Sequence, residues 1–162
     1  LNYSDGVTSN IQTQIDDVNT AITRVGFAAK DSNSSVTASA YSTASFNVEI
    51  EDTNSAWDGT TFTVPAGEGG MYEIFGHATF NNVADGNIAI VGVEINSSLP
   101  DGGLLGRGTA GASGIGGYGG ALRLDLSAGD TVEMVVFCEN NTTLYNAVGQ
   151  EGYCTFSAYK MI

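Results

Sequence analysis

Apolar and polar residues alternate along this chain in two different rhythms. Between Ser9 and Val25 the apolar residues are Ile11, Ile15, Val18, Ile22 and Val25, spaced four, three, four and three apart. Gln12, Thr13, Gln14, Asp16, Asp17, Asn19 and Thr20 fill the remaining faces. This is the a/d rhythm of a coiled coil, with Ile15 and Ile22 at a and Ile11, Val18 and Val25 at d. Isoleucine at both core positions shifts the preference from two strands toward three. Asp5, Thr8 and Ser9 compete to cap the helix start, and Gly26 stands where a C-cap is expected. A helix of about 18 residues is marginal by itself. It must lean on something already trimeric, unless it packs as an ordinary amphipathic helix on its own domain.

The polar run from Lys30 to Ser35 reads as a linker, which divides the chain into a stalk segment over 1–27, a linker over 28–35 and a sheet domain over 36–162. Beyond the linker the period falls to two. Phe46, Val48 and Ile50 alternate with polar residues, Thr60 to Val64 is a short β-prone run, and Tyr72, Ile74, Gly76, Ala78 and Phe80 alternate along a longer strand. Ala84-Asp85-Gly86-Asn87 turns the chain into Ile88 to Ile95, which is apolar on both faces for part of its length. Leu122, Leu124 and Leu126 alternate again, and Thr131 to Phe137 and Tyr153 to Ile162 complete the set. Short strands at this cadence, with no helical pattern between them, predict an all-β sandwich or barrel. Ten of the 19 residues from Gly102 to Gly120 are glycine. That tract reads either as an external loop or as chain running where small residues permit close packing, near an apex or a trimer interface.

Composition narrows the function. The chain has 162 residues, enough for one domain and a short appendage, and starts at Leu1 in the manner of a piece excised from a longer polypeptide. Five Lys and Arg stand against 18 acids, for a net charge of −13. Such a chain repels a phosphate backbone and an anionic lipid surface, so nucleic acid and membrane are poor partners. No run of about 18 apolar residues is present to span a bilayer. Two cysteines, Cys138 and Cys154, are too few for a disulfide framework and read as buried thiols or as one bridge between neighbouring strands.

Catalytic chemistry has little material. His77 is the single histidine and sits mid-strand, with no second histidine or reactive cysteine near it in sequence to build a triad or zinc site. Glu49, Glu51, Asp52 and Asp58 lie close along the chain, yet acids on a strand edge and its loop are usually solvated. The expectation is a non-enzyme. Calcium is the one cofactor the sequence leaves open, through the loop carboxylates Asp58, Asp85 and Asp101. For recognition the candidates are the aromatics outside the strand pattern: Trp57, Tyr118 and Tyr145.

Four blocks resemble the C1q/tumour-necrosis-factor family. They are Ala44-Ser45-Phe46-Asn47-Val48; Gly59 to Pro65 followed by Gly70-Met71-Tyr72-Glu73-Ile74-Phe75; Leu126-Ser127-Ala128-Gly129-Asp130-Thr131-Val132; and Phe156-Ser157-Ala158-Tyr159-Lys160-Met161. They fall in the family's order across roughly 40–162. An extra residue in the Gly59 block, Ala158 in place of glycine, and Tyr159-Lys160 are departures that leave the subfamily open. The resemblance implies a ten-stranded jelly roll that associates as a homotrimer above a collagen or coiled-coil stalk, some members of which bind calcium. A second resemblance covers Leu1 to Ile15, similar to a stalk segment common in bacteriophage tail-fibre proteins. Together they imply the C-terminal head of a phage tail fibre or spike, located on the virion and contacting a host-surface receptor, a glycan being one class. A secreted cellular C1q-like binding module is the alternative, and a fibre-borne glycan hydrolase a remote one.

Overall fold

A computed structural model shows one helix followed by two stacked antiparallel sheets, and describes residues 11–22, 24–111, 114–145 and 154–161. Helix α1 spans Ile11–Ile22. Ile11, Ile15 and Val18 are each about half exposed or more, so among the described residues nothing covers that stripe. The side chain of Ile22 and the proposed caps Asp5, Thr8 and Ser9 lie outside the described residues.

The predicted heptad runs past the helix by one position. Val25 is not a d residue, because its carbonyl accepts the amide of Lys160 at 2.8 Å and so belongs to the sheet. Gly26 likewise opens strand β1, Gly26–Lys30, rather than capping the helix. The expected linker over 28–35 is therefore corrected. Phe27 and Ala29 face the core at 0% and 1% exposure, and burying that alternating pair outweighs the polar run that follows. Only residues 31–34 connect β1 to β2, Ser35–Val36.

The first sheet contains β1, β2, β4 (Val48–Asp52), β6 (Gly70–Val83), β9 (Gly114–Leu126), β11 (Thr142–Leu144) and β12 (Thr155–Lys160). Across its broad part the order is β9, β6, β12, β1, β4, with β11 continuing the β12 side of β6 and carrying β2. The second sheet contains β3 (Tyr41–Thr43), β5 (Thr61–Thr63), β7 (Ile88–Ile95), β8 (Leu104–Thr109) and β10 (Thr131–Cys138). Here β3 and β5 lie end to end along one edge of β10. Such short strands sharing one partner bring the described total to twelve rather than ten.

The core between the sheets follows from the period of two. Tyr72, Ile74, Ala78 and Phe80 of β6 point inward, as predicted, against Val91 and Val93 of β7 and Val132, Met134 and Val136 of β10. Phe46, expected on a strand with Val48 and Ile50, is instead buried ahead of β4, whose own apolar residues are exposed. Phe27, Trp57, Phe62 and Phe156 form an aromatic cluster, with the rings of Phe27 and Trp57 stacked 4.2 Å apart at 7°.

The glycine tract is two strands, not a loop. β8 edges one sheet and β9 edges the other, and they touch backbone to backbone. A Cβ on Gly106 would stand 2.6 Å from the amide nitrogen of Gly119, and one on Gly120 would strike the carbonyl of Leu105. Packed sheets normally sit about 10 Å apart. Glycine at these positions lets the two edges close along a seam.

Candidate assembly face and cationic pocket

The inward phase of β6 fixes its outward phase as Met71, Glu73, Phe75 and His77, and strand register extends each into a row across the sheet. Phe75 stands opposite Ala121 of β9 and Ser157 of β12, and Ser157 opposite Ala28 of β1. The row is a shelf of small side chains with one aromatic ring raised on it, 42% exposed. Met71 at 44% and Ile115 of β9 at 56% extend this apolar character toward its margins. Large apolar residues gathered on one sheet face mark a contact surface more than a solvated one.

One row nearer the helix the chemistry changes. Glu73 lies between Arg123 of β9 and Tyr159 of β12. Arg123 donates from Nε at 3.0 Å and Nη2 at 2.9 Å to Oε2 of Glu73. Lys160 pairs with Glu68 at 2.9 Å. Arg24, in the short connection after α1, lays its guanidinium over the Tyr159 ring, 4.5 Å from the centroid. Arg24, Glu73, Arg123, Lys160 and Met161 line an open pocket of about 400 Å³. Three of the chain's five cations thus converge on one place in a molecule of net charge −13. The Tyr159 hydroxyl donates to Oε2 of Glu51 at 2.7 Å. Burial first, and then that hydrogen bond and the Glu51 charge, push its pKa up to about 12, with Arg24 opposing.

The residues singled out from sequence do not meet in one site. Trp57 is a core residue rather than a receptor contact, 8% exposed. The Asp52 carboxylate takes the amides of Ala56 and Trp57, each at 3.0 Å, and so folds the loop that turns the indole inward. Tyr118 is not in a loop but on β9, pointing inward, its ring 6.1 Å from that of Phe80 and lying over Gly108 and Gly116. Tyr145 is half-buried just past β11. Its amide donates to the Thr79 carbonyl at 2.7 Å, and its own carbonyl accepts the Cys154 thiol.

The acids proposed for calcium are likewise apart. Asp85 and Asp101 lie beyond opposite ends of the eight-residue β7, about 25 Å from each other at the usual strand rise. Asp58 already accepts the amides of Thr60 and Thr61 and the Thr60 hydroxyl at 2.7–2.9 Å. Those donors, the Thr61 amide foremost, hold its pKa below the usual carboxylate value. Among the described residues no three His, Cys, Asp or Glu side chains gather to hold a metal ion. Cys138 and Cys154 are buried free thiols, and burial raises the Cys154 pKa.

Phe75 and the Arg24–Arg123–Lys160 pocket were not singled out from sequence. Signals for both were present: Met71 and Phe75 fall on the phase of β6 opposite an already complete apolar phase, and cations in so acidic a chain are few enough to follow one by one.

No protein-family model and no curated protein sequence matches the chain. Solved structures do. The chain is similar to the globular domain of zebrafish complement 1qA, with a TM-score of 0.62 and 17% identity over 85% of this chain and 98% of that one. It is similar to murine APRIL, with a TM-score of 0.58 and 14% identity over 86% and 100% of the two chains. It is also similar to the Eiger TNF of S. frugiperda, with a TM-score of 0.56 and 11% identity over 86% and 93%. At such identities the likeness is one of architecture, and the architecture of this chain is the C1q/TNF-like jelly roll.

Proposed function

We propose that this chain is the non-enzymatic, homotrimeric head of an extracellular attachment fibre, the tail fibre or spike of a virion, which binds a receptor on the host surface, a glycan being the receptor class. The observation that carries it is a pair of apolar surfaces that the described residues leave exposed. One is the Phe75 shelf on the first sheet, and the other is the Ile11, Ile15 and Val18 stripe of α1. The first suits head-to-head packing and the second a three-stranded stalk, in line with both resemblances seen in the sequence. Three equivalent sites on one rigid head turn weak receptor contacts into firm attachment through effective concentration.

Light scattering on the intact chain tests the assembly. The expected mass is near three times the 16.7 kDa subunit, and a lone subunit at micromolar concentration refutes the reading. Ile15→Asn with Ile22→Asn should melt the stalk and leave the head trimeric. Collapse to monomers on that change alone would contradict the division of labour between stalk and head.

A further inference from the structure

Trp57 and Tyr118 are spent on the core, so a receptor surface has to be sought among the rings left in water. Among the described residues the exposed aromatics are Phe75, at 42%, and Tyr41, at 44%. Phe75 belongs to the assembly face. Tyr41 stands on the second sheet, on the opposite side of the sandwich, where packing through the first sheet leaves it open.

Strand register shows what surrounds it. Tyr41 of β3 lies opposite Phe137 of β10, Phe137 opposite Ile90 of β7, and Ile90 opposite Arg107 of β8. This row is off the core phase, since the buried residues on either side of it are Val136, Cys138, Ala89 and Val91. The Tyr41 and Phe137 rings meet at 5.4 Å and 47°. In the next row stand Thr43, Val135, Gly92 and Leu104. Leu99 lies over that row: a Cβ on Gly92 would stand 3.2 Å from Leu99 Cδ1, and Val135 beside it is buried. The two rows form an apolar platform with Arg107 at its β8 edge.

Arg107 is the one cation of the five that stands on the second sheet. It is exposed and, among the described residues, in no ion pair. The acids of this face lie in the rows beyond the platform. Glu133 there accepts the Thr61 hydroxyl and Glu139 the Ile88 amide, each at 2.8 Å. The platform is three strand gaps wide and two rows deep, roughly 14 Å by 7 Å. Such an area, on the order of 100 Å², falls far short of the ~800 Å² each partner gives to a stable protein interface. It suits a short saccharide. Exposed rings take the apolar face of a sugar, and the Tyr41 hydroxyl has no hydrogen-bond partner among the described residues. An arginine fork matches a planar or tetrahedral oxyanion.

We propose that this outward face of the second sheet is the receptor site and that its ligand is a saccharide bearing an anionic group. A sugar ring seats on Tyr41 and Phe137, and Arg107 takes the carboxylate or sulfate. This rests on the receptor reading above and gives that receptor a place and a chemical class.

An array of matched neutral, carboxylated and sulfated glycans, read at one fixed concentration of the intact chain, tests it with wild type, Tyr41→Leu, Arg107→Gln and Arg123→Gln. Anionic spots should retain wild type about tenfold more than their neutral parents, and the spots retained say which anionic group is taken. Tyr41→Leu keeps an apolar side chain on β3 and should lose about tenfold on every spot. Arg107→Gln should lose the anionic preference alone, whereas Arg123→Gln, the same charge change on the first sheet, should keep it. Circular dichroism and sedimentation velocity should show Tyr41→Leu and Arg107→Gln folded and associated as wild type is, so that a loss on the array is not a loss of avidity. Glycan binding that neither second-sheet variant alters overturns this site and leaves the glycan reading standing. Equal retention of wild type by neutral and anionic spots overturns the role of Arg107. A wild type retained by no spot overturns the glycan class of receptor, and this site with it.

Discussion

Trp57→Ala separates two roles an aromatic residue can have, because core and receptor contact predict opposite outcomes. The indole is 8% exposed and touches three rings: Phe27 in parallel at 4.2 Å, Phe156 edge-on at 5.8 Å and Phe46 tilted at 6.1 Å. Removing a buried tryptophan costs about 3–5 kcal/mol, as lost transfer energy plus the cavity left behind. Aromatic pairing contributes about 0.5–1.5 kcal/mol beyond area, which places this site in the upper part of that range. At about 2–4 °C per kcal/mol for a domain of this size, melting should fall by roughly 6–20 °C. The assay is thermal and urea unfolding followed by circular dichroism, at one fixed protein concentration because association shifts apparent stability. Fluorescence is unsuitable, since Trp57 is the one tryptophan. A variant within about 1 kcal/mol of wild type in stability would refute the core assignment, and loss of attachment alongside it would return Trp57 to the receptor surface.

Two further outcomes follow from single contacts. Gly106→Val should cost about 3 kcal/mol, the upper end of overpacking, because the new side chain meets backbone at Gly119 rather than a side chain that can swing away, whereas Gly111→Ala, in open space, should be near neutral by the same urea measurement. Asp58→Ala should cost about 1 kcal/mol at pH 7 through three lost hydrogen bonds at an exposed site. The folded carboxyl has the lower pKa, so the advantage of wild type over this variant is fully present above about pH 4 and shrinks as pH falls through the folded value; an advantage that stays constant down to pH 2 would contradict the assignment.

Much of the sandwich was legible because one physical requirement wrote it. A strand with one buried face must alternate, and Tyr72, Ile74, Ala78 and Phe80 do so without interruption. The helix was legible for the same reason at a different period. Errors arose where two requirements overlapped. Val25 satisfies the heptad spacing by position, but it lies one residue before Gly26 and two before the buried Phe27, and the sheet claims it. The glycine tract misled because a loop and a close-packed strand pair both favour small residues. Only the distance between the Gly106 and Gly119 backbones distinguishes them, and that distance has no local signature in sequence. Trp57 misled in the opposite direction. Its polar neighbours describe the loop around it, while the indole turns inward because the Asp52 carboxylate holds the loop amides.

The candidate site was the least legible part because, on the assembly reading proposed above, it belongs to a second layer of burial. Alternation reports which face a single chain hides from water, and says nothing of what a neighbouring copy hides next. The trace of that second layer is an apolar residue on the wrong phase, as Phe75 is on β6, flanked in register by side chains small enough to admit a close approach. Charge adds a constraint that alternation lacks. A chain of net charge −13 brings strong self-repulsion to any assembly, so copies approach most cheaply where like charge is thinnest. The row through Phe75 carries Ala121, Phe75, Ser157 and Ala28 and meets a charge only at Glu51 of β4, and the pocket beside it gathers three of the five cations. A face that is apolar at its centre, with the Phe75 ring 42% exposed, is poorly suited to remain in water.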